Sequence, residues 1–383
     1  MKYTYEQYEA FFFLHKLLPL LEKKRNFTER LWSLNEQKEE GLLVPIDAKK
    51  YEKNSRAYLR KVFPGFLKEL EKQGNLYLAQ PKQQQQQNIH YLADILQLKP
   101  QEEKMLLLLN ANINNHVLLD VEREFLTGDI GATSDSLELA AQVPAGCGFI
   151  FLKEDAPLRQ FGLIEKKRYD NDFRLTYWAR NFINTTYPDE QTRYAQLLGN
   201  ALEGERLLQG KDFAYIEAAQ LALRLMKQAP HTKGFNILLY GAPGTGKTSF
   251  AQLLARSAKL SLYPVGICNE GDDERNFRLR QFYRKQFLLK NIKNTCLLFD
   301  EGEDMFSSVE TRTSKMEINN LLENNEVPVI WTTNKIHRMD PAFIRRFTLA
   351  VNFGKPPVEI RQKIWTRYLR EQKIPFTPTD TLQ

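Results

Sequence analysis

The nine residues GAPGTGKTS, Gly241 to Ser249, separate an apolar run, FNILLY (235–240), from an amphipathic one, FAQLLARSAKL (250–260). They fit the pattern G-x-x-x-x-G-K-[ST] at Gly241, Gly246, Lys247 and Thr248. A strand that turns through glycines into a helix aims successive backbone N–H groups, and the positive end of the helix, at one point. The ligand for such a point is phosphate. The expected cradle is the whole loop: Gly241, Ala242, Pro243, Gly244, Thr245, Gly246, Lys247, Thr248 and Ser249. Lys247 supplies a mobile charge for β- and γ-phosphates, and Thr248 a hydroxyl for Mg2+.

From Asp212 the chain reads as a helix (DFAYIEAAQLALRLMKQ) followed by five short apolar or β-branched runs, FNILLY, LYPVG, TCLLF, PVIWTT and LAVNF, with helical patterns between them. Strands alternating with helices imply a parallel sheet covered on both faces, with ligands at the carboxyl ends of the strands. Two more runs end in polar residues at that edge. CLLFDE ends in Asp300, suited to hold Mg2+ directly or through water, and Glu301, which can polarise a water attacking the γ-phosphate. VIWTTN ends in Asn334, within reach of the same phosphate or water. MDPAFIRRF then brings Arg345 and Arg346, whose guanidinium groups suit charge spread over phosphoryl oxygens. Taken singly, an acidic pair or an RR pair is ordinary surface charge; what gives these weight is their place behind a phosphate loop.

In this order and spacing, GAPGTGKT, LLFDE, WTTN and DPAFIRRF resemble the AAA branch of the AAA+ ATPases, the group of FtsH, katanin and spastin, over about residues 234–370. The resemblance implies an α/β P-loop core with a five-stranded parallel sheet, ATP and Mg2+ as cofactors, and hydrolysis of ATP to ADP and phosphate. It also implies a homo-oligomeric ring, commonly hexameric, with ATP at each subunit interface. Asn334 matches the residue that senses the γ-phosphate, and Arg345 and Arg346 match arginine fingers that serve the neighbouring subunit. The segments LADILQLKPQEEKMLLLL and DFAYIEAAQLALRL are similar to parts of uncharacterised bacterial members with helical N-terminal regions. Two departures stand out. The family's aromatic-x-G-x-x-E-R-N pore segment is matched here by NEGDDERNF, which puts Asn269 at the aromatic place. The helix VEIRQKIWTRYLREQ is soon followed by Gln383, so the helical lid over 355–383 is expected to be truncated.

Across 383 residues, 42% hydrophobic and 26% charged, the composition is that of a soluble globular chain of two or three domains. The net charge of +7 is compatible with a polyanionic partner without demanding one. Three cysteines, Cys147, Cys268 and Cys296, and five scattered histidines have no metal-ligand spacing, which reads as a reduced, cytoplasmic chain. The run FFFLHKLLPLL, broken by His15, Lys16 and Pro19, reads as a buried helix and not as a signal peptide or membrane span.

Residues 1–80 are expected to form a helical N-terminal region, and 81–88 a Gln-rich linker. Residues 89–190 suggest a helical, winged-helix-like domain. In it two helices meet at the LKP turn and RYDNDFRLTYW forms a hairpin turning at Asp170 to Asp172. Lys166, Lys167 and Arg168 on that hairpin could meet nucleic-acid phosphates, although such a trio is usually a solvated edge. The ATPase core follows over 205–354. Together these readings point to an ATPase that remodels a protein or complex through a ring. Two rivals stand beside it: an ATPase acting on nucleic acid through the winged-helix-like segment, and a nucleotide-gated scaffold with little turnover.

Overall fold

The computed structural model describes residues 5–21, most of 65–77, 81–115, 118, 132–167, 172–202, 208–229, 232–266, 274–307 and 312–375. The segment around Asn269, expected to line a channel, and Arg168 to Asn171 of the expected hairpin lie outside these. The chain divides into two compact units, Met1–Pro188 and Asp189–Gln383. Among the described residues no helix is long and apolar enough to cross a membrane.

In the first unit the run FFFLHKLLPLL lies in the helix Tyr5–Leu21, with Phe11, Phe13, Leu14, Leu17 and Leu21 all buried. The helices Gln84–Ile95 and Pro100–Asn114 meet at the LKP turn. There Leu98 N–H donates to Ala93, Pro100 takes the first helical position, and Glu102 bonds back to the Lys99 N–H at 2.7 Å. The linker expected at 81–88 is corrected by this structure: from Gln84 the glutamine tract is helical and ends in buried Asn88. The Asn88 amide donates to the carbonyls of Ile183 and Thr185, both at 2.9 Å. Composition alone says linker. Anchored at Asn88, and with the Gln86 amide donating to the Tyr77 hydroxyl, the tract has tertiary partners that outweigh its polarity.

A hairpin does form, but its first strand is earlier than RYDND: β2 (Ile164–Lys166) pairs antiparallel with β3 (Asp172–Leu175), Ile164 facing Leu175. A two-residue strand, β1 (Ala132–Thr133), adds to the other side of β3, giving the order β1-β3-β2.

The second unit is built on five strands, all parallel: β4 (Asn236–Gly241), β5 (Ser261–Pro264), β6 (Thr295–Phe299), β7 (Val329–Thr333) and β8 (Leu349–Phe353). Their order across the sheet is β5-β6-β7-β4-β8. Strands buried on both faces need continuous apolar runs, and TCLLF and VIWTT are buried at every residue. Trp331, fully buried, stacks on Phe299 at 4.6 Å between ring centres. Its Nε1–H donates to the Asn236 side chain at 2.9 Å, and that amide donates in turn to Leu322 and Gly234 carbonyls, so the buried Trp331 and Asn236 side chains are paired. The order matters for the site because β6, β7 and β4 are adjacent and their carboxyl ends come side by side.

One element differs from the sequence reading. The helix expected from Asp212 is a single 3-10 turn, Gly210–Phe213, and the α-helix begins only at Ala219. Asp212 caps that turn by accepting from the Gln209 N–H, and Phe213 packs on Phe250 with ring centres 4.9 Å apart. Tertiary burial of one aromatic ring thus overrides local helix preference. After β8, the helix Val358–Glu371 buries none of its residues, and Arg367 holds it by a two-pronged ion pair to buried Asp212, both bonds 2.7 Å.

On the helix Glu274–Leu289, Lys285 is buried and donates to the Pro264 carbonyl. Burial, and after it the neighbouring Arg284 guanidinium, pull its ammonium down to about 7. Above that value the folded state binds fewer protons than the unfolded one, so stability rises with pH. Between pH 7 and 8 the gain is about 1 kcal/mol, and Lys285→Met abolishes it. Urea unfolding of both proteins across that interval checks this. A wild-type chain whose stability stays flat or falls relative to the variant contradicts it.

Candidate functional site

The loop after β4 is shaped by its glycines. Gly241 sits at φ 149°, and a Cβ there would stand 2.2 Å from the Phe353 carbonyl oxygen, so β8 passes too close for any other residue. Gly246, at φ 89°, precedes the helix Lys247–Ser257 and leads straight into its first turn. The first N–H groups of that helix, those of Lys247, Thr248 and Ser249, have no partner within it and form the donor end of an anion site. Thr245 is buried and its hydroxyl donates to the Ala242 carbonyl at 2.8 Å, drawing the loop between Ala242 and Gly246 into a ring. Pro243 and Gly244 form its exposed crest.

Lys247 is buried with its Nζ on the carbonyls of Gly241 (2.9 Å) and Ala242 (2.8 Å). Burial lowers its pKa, and the carboxylates of Glu303, Asp300 and Glu301 push it back up. The ammonium therefore sits where carboxylates converge on the loop.

The carboxyl ends of β6 and β7 complete the cluster. Asp300 follows the last residue of β6, and Thr248 donates its hydroxyl to both carboxylate oxygens, at 3.2 and 3.1 Å. The Thr332 hydroxyl donates to the same Asp300 and accepts from the Glu301 N–H at 2.9 Å. Glu301 is exposed and left-handed, φ 49°, a conformation that costs a non-glycine residue about 1–2 kcal/mol and persists only where its surroundings fix it. Besides Thr332, what fixes it is Arg278, buried on the helix Glu274–Leu289. One of its guanidinium nitrogens donates to the Glu301 carbonyl at 3.1 Å and another to the Asp300 carbonyl. The guanidinium lies over the Phe299 ring, 4.2 Å from its centre.

Asn334 follows β7, and its backbone N–H donates to the Glu303 carboxylate. Beyond it, Asp340 caps the four-residue helix Pro341–Ile344 by accepting from Ala342 N–H at 2.9 Å, and Lys315 donates to Asp340 at 3.0 Å. These bonds hold the Asp340 carboxyl below the ordinary carboxylate range. The two arginines that follow differ. Arg346 is tied to Glu323 at 2.6 Å and to the Ala342 carbonyl at 2.6 Å, whereas the Arg345 side chain is exposed. Among the described residues, neither donates to the phosphate loop of its own chain.

Thr248 and Asp300 fit a Mg2+ that takes one or two protein oxygens and completes its shell with phosphate and water. Among the described residues no group of three or more His, Cys, Asp or Glu forms an all-protein cage. Four contributors are absent from the sequence reading: Thr332, Arg278, Glu303 and Phe213, whose ring comes within 3.5 Å of a Cβ placed on Gly246. Glu303 alone had a signal, as a third acid in DEGED two residues past Glu301. Thr332 reads as one more β-branched residue in a strand.

Residues 237–355 match the family described as "ATPase family associated with various cellular activities (AAA)". Among similar proteins are "Protein CdcH" of Halobacterium salinarum, 33% identical over 33% of this chain and 19% of its own length, and "Spastin" of Drosophila virilis, 25% identical over 49% and 27%. An "AAA ATPase forming ring-shaped complexes" of Corynebacterium diphtheriae is 27% identical over 38% of this chain and 34% of its own. The chain thus spans from about a fifth to a third of the length of these relatives.

Proposed function

We propose, from the premise that residues 237–355 are an AAA-family ATPase domain, that this chain hydrolyses MgATP at the joined ends of β4, β6 and β7 and couples the turnover to remodelling a protein or complex. The observation that carries the reading is the bonded set Thr248–Asp300–Thr332–Glu301, which ties the phosphate loop to the acidic end of β6. A phosphate loop alone binds; one with a second acid presented beside it from a pinned turn is equipped to hydrolyse.

In this reading the loop amides and Lys247 bind the β- and γ-phosphates. Thr248 and Asp300 would hold Mg2+, which would supply charge neutralisation at the phosphate oxygens. Glu301 takes the proton from the attacking water as the bond from the γ-phosphorus to the bridging oxygen breaks and ADP leaves. Asn334, placed at the same edge by β7, orients that water or the γ-phosphate. Arg345 acts on the nucleotide of a neighbouring subunit in a homo-oligomeric ring, and two facts support this: its side chain is exposed, and a similar protein carries ring formation in its name. Six subunits are the family's common number. The first unit selects the target, and three cysteines, too few for a disulfide framework, suit work in the cytoplasm.

Glu301→Gln tests the reading. The amide keeps the shape but cannot accept the proton, so ATP affinity stays within about threefold while phosphate release falls by roughly 10²–10⁴. Turnover within about tenfold of wild type would show that another group activates the water.

A further inference from the structure

The placement of Arg278 carries an inference that rests on the role just given to Glu301. The guanidinium is a rigid planar fork, and its two donors here fall on consecutive carbonyls, those of Asp300 and Glu301. These carbonyls belong to the two peptide planes that flank the Glu301 Cα, so the fork sets the tilt of one plane against the other. The Glu301 side chain leaves the backbone where those two planes meet, in a left-handed conformation, so its direction depends on the fork. Thr332 pins the same turn from the β7 side, through the Glu301 N–H and, by its carbonyl, through the Gly302 N–H at 2.8 Å. The turn is thus clamped from two elements, with Arg278 the clamp on the helix side. It is 3% exposed and braced over Phe299, which leaves it little freedom to lean toward a nucleotide.

We propose that Arg278 is a positioning residue for hydrolysis: it aims the Glu301 carboxylate by holding the two peptide groups that flank the Glu301 Cα and takes no part in binding ATP. An ammonium at the same place is a point charge without the rigid planar pair of donors, so lysine is an incomplete replacement.

The test compares full-length wild type, Arg278→Met and Arg278→Lys for affinity toward fluorescent ATP and for steady-state phosphate release. Arg278→Met is expected to lower kcat by roughly 10–100-fold with ATP affinity within about threefold, and Arg278→Lys to fall between it and wild type. Should Arg278→Met not fold, Arg278→Lys, which keeps charge and stem, still has to show the split between kcat and affinity. Each change is repeated in Glu301→Gln, with single-turnover release of labelled phosphate followed over hours. If Arg278 works through Glu301, its replacement has little further effect there. An equal fold-loss in both backgrounds, an unchanged kcat, or a loss confined to ATP affinity overturns the proposal. A Glu301→Gln protein that turns over like wild type would instead sink the role of Glu301, so the two failures are distinguishable.

Discussion

Lys247→Ala is expected to remove measurable ATP binding, and with it all hydrolysis. The side chain is the one cation on the loop, and beside it lie Glu303, Asp300 and Glu301. Truncating one partner of a buried charge pair costs about 2–5 kcal/mol, which weakens binding by roughly 30- to 5,000-fold. The loss goes further here, because the phosphates then face those three carboxylates without the ammonium between them. The loop also loses its bonds from Nζ to Gly241 and Ala242. Lys247→Met, which keeps most of the stem, separates the causes: if charge is what matters, it binds as poorly as the alanine variant. Titration with labelled ATP decides, and affinity within about threefold of wild type in either variant removes the lysine from the site.

The second large effect is expected at Arg345. Its segment is rigid, since Asp340 caps the helix before it and is itself held by Lys315, and its side chain is exposed. Arg346, tied to Glu323, braces the segment. An arginine finger supplied by a neighbour contributes about 10³–10⁵ in rate. Arg345→Ala should therefore lose phosphate release on that scale with ATP affinity kept, and Arg346→Ala should lose less. Arg345→Ala subunits retain a competent pocket, and Lys247→Ala subunits retain the finger. Mixed, they should release phosphate faster than the sum of the two alone and lose the gain on dilution. Wild-type activity that depends on protein concentration is the control for assembly. No recovery, with assembly confirmed, would place Arg345 within its own subunit or in the fold alone.

The three central strands, β4, β6 and β7, were legible because a strand buried on both faces has to be written as an uninterrupted apolar run, and the phosphate loop because its glycines answer to backbone angles that few residues adopt. The carboxylates were legible because they follow such runs directly. Arg278 was not, since it reaches carbonyls 22 and 23 residues away and only the packing of one helix on β6 aims it there. Asp212 and Phe213 misled for a similar reason, as a ring buried against Phe250 stops a helix that the local sequence favours. β1, two residues long, exists only as a partner for β3 and has no pattern to show.

The glutamine tract has a consequence for inheritance. Runs of one repeated residue gain and lose units when the encoding DNA slips during copying, and in most helices an added residue turns everything beyond it by 100°. Here the run, Gln83 to Gln87, lies at the start of its helix, and Asn88 is the fixed point beyond it. Because every unit is the same, a lengthened or shortened run still presents glutamine one and two places before that asparagine. The residue that meets Tyr77 is therefore still a glutamine. The tract can drift in length between lineages while the helix it starts keeps its register.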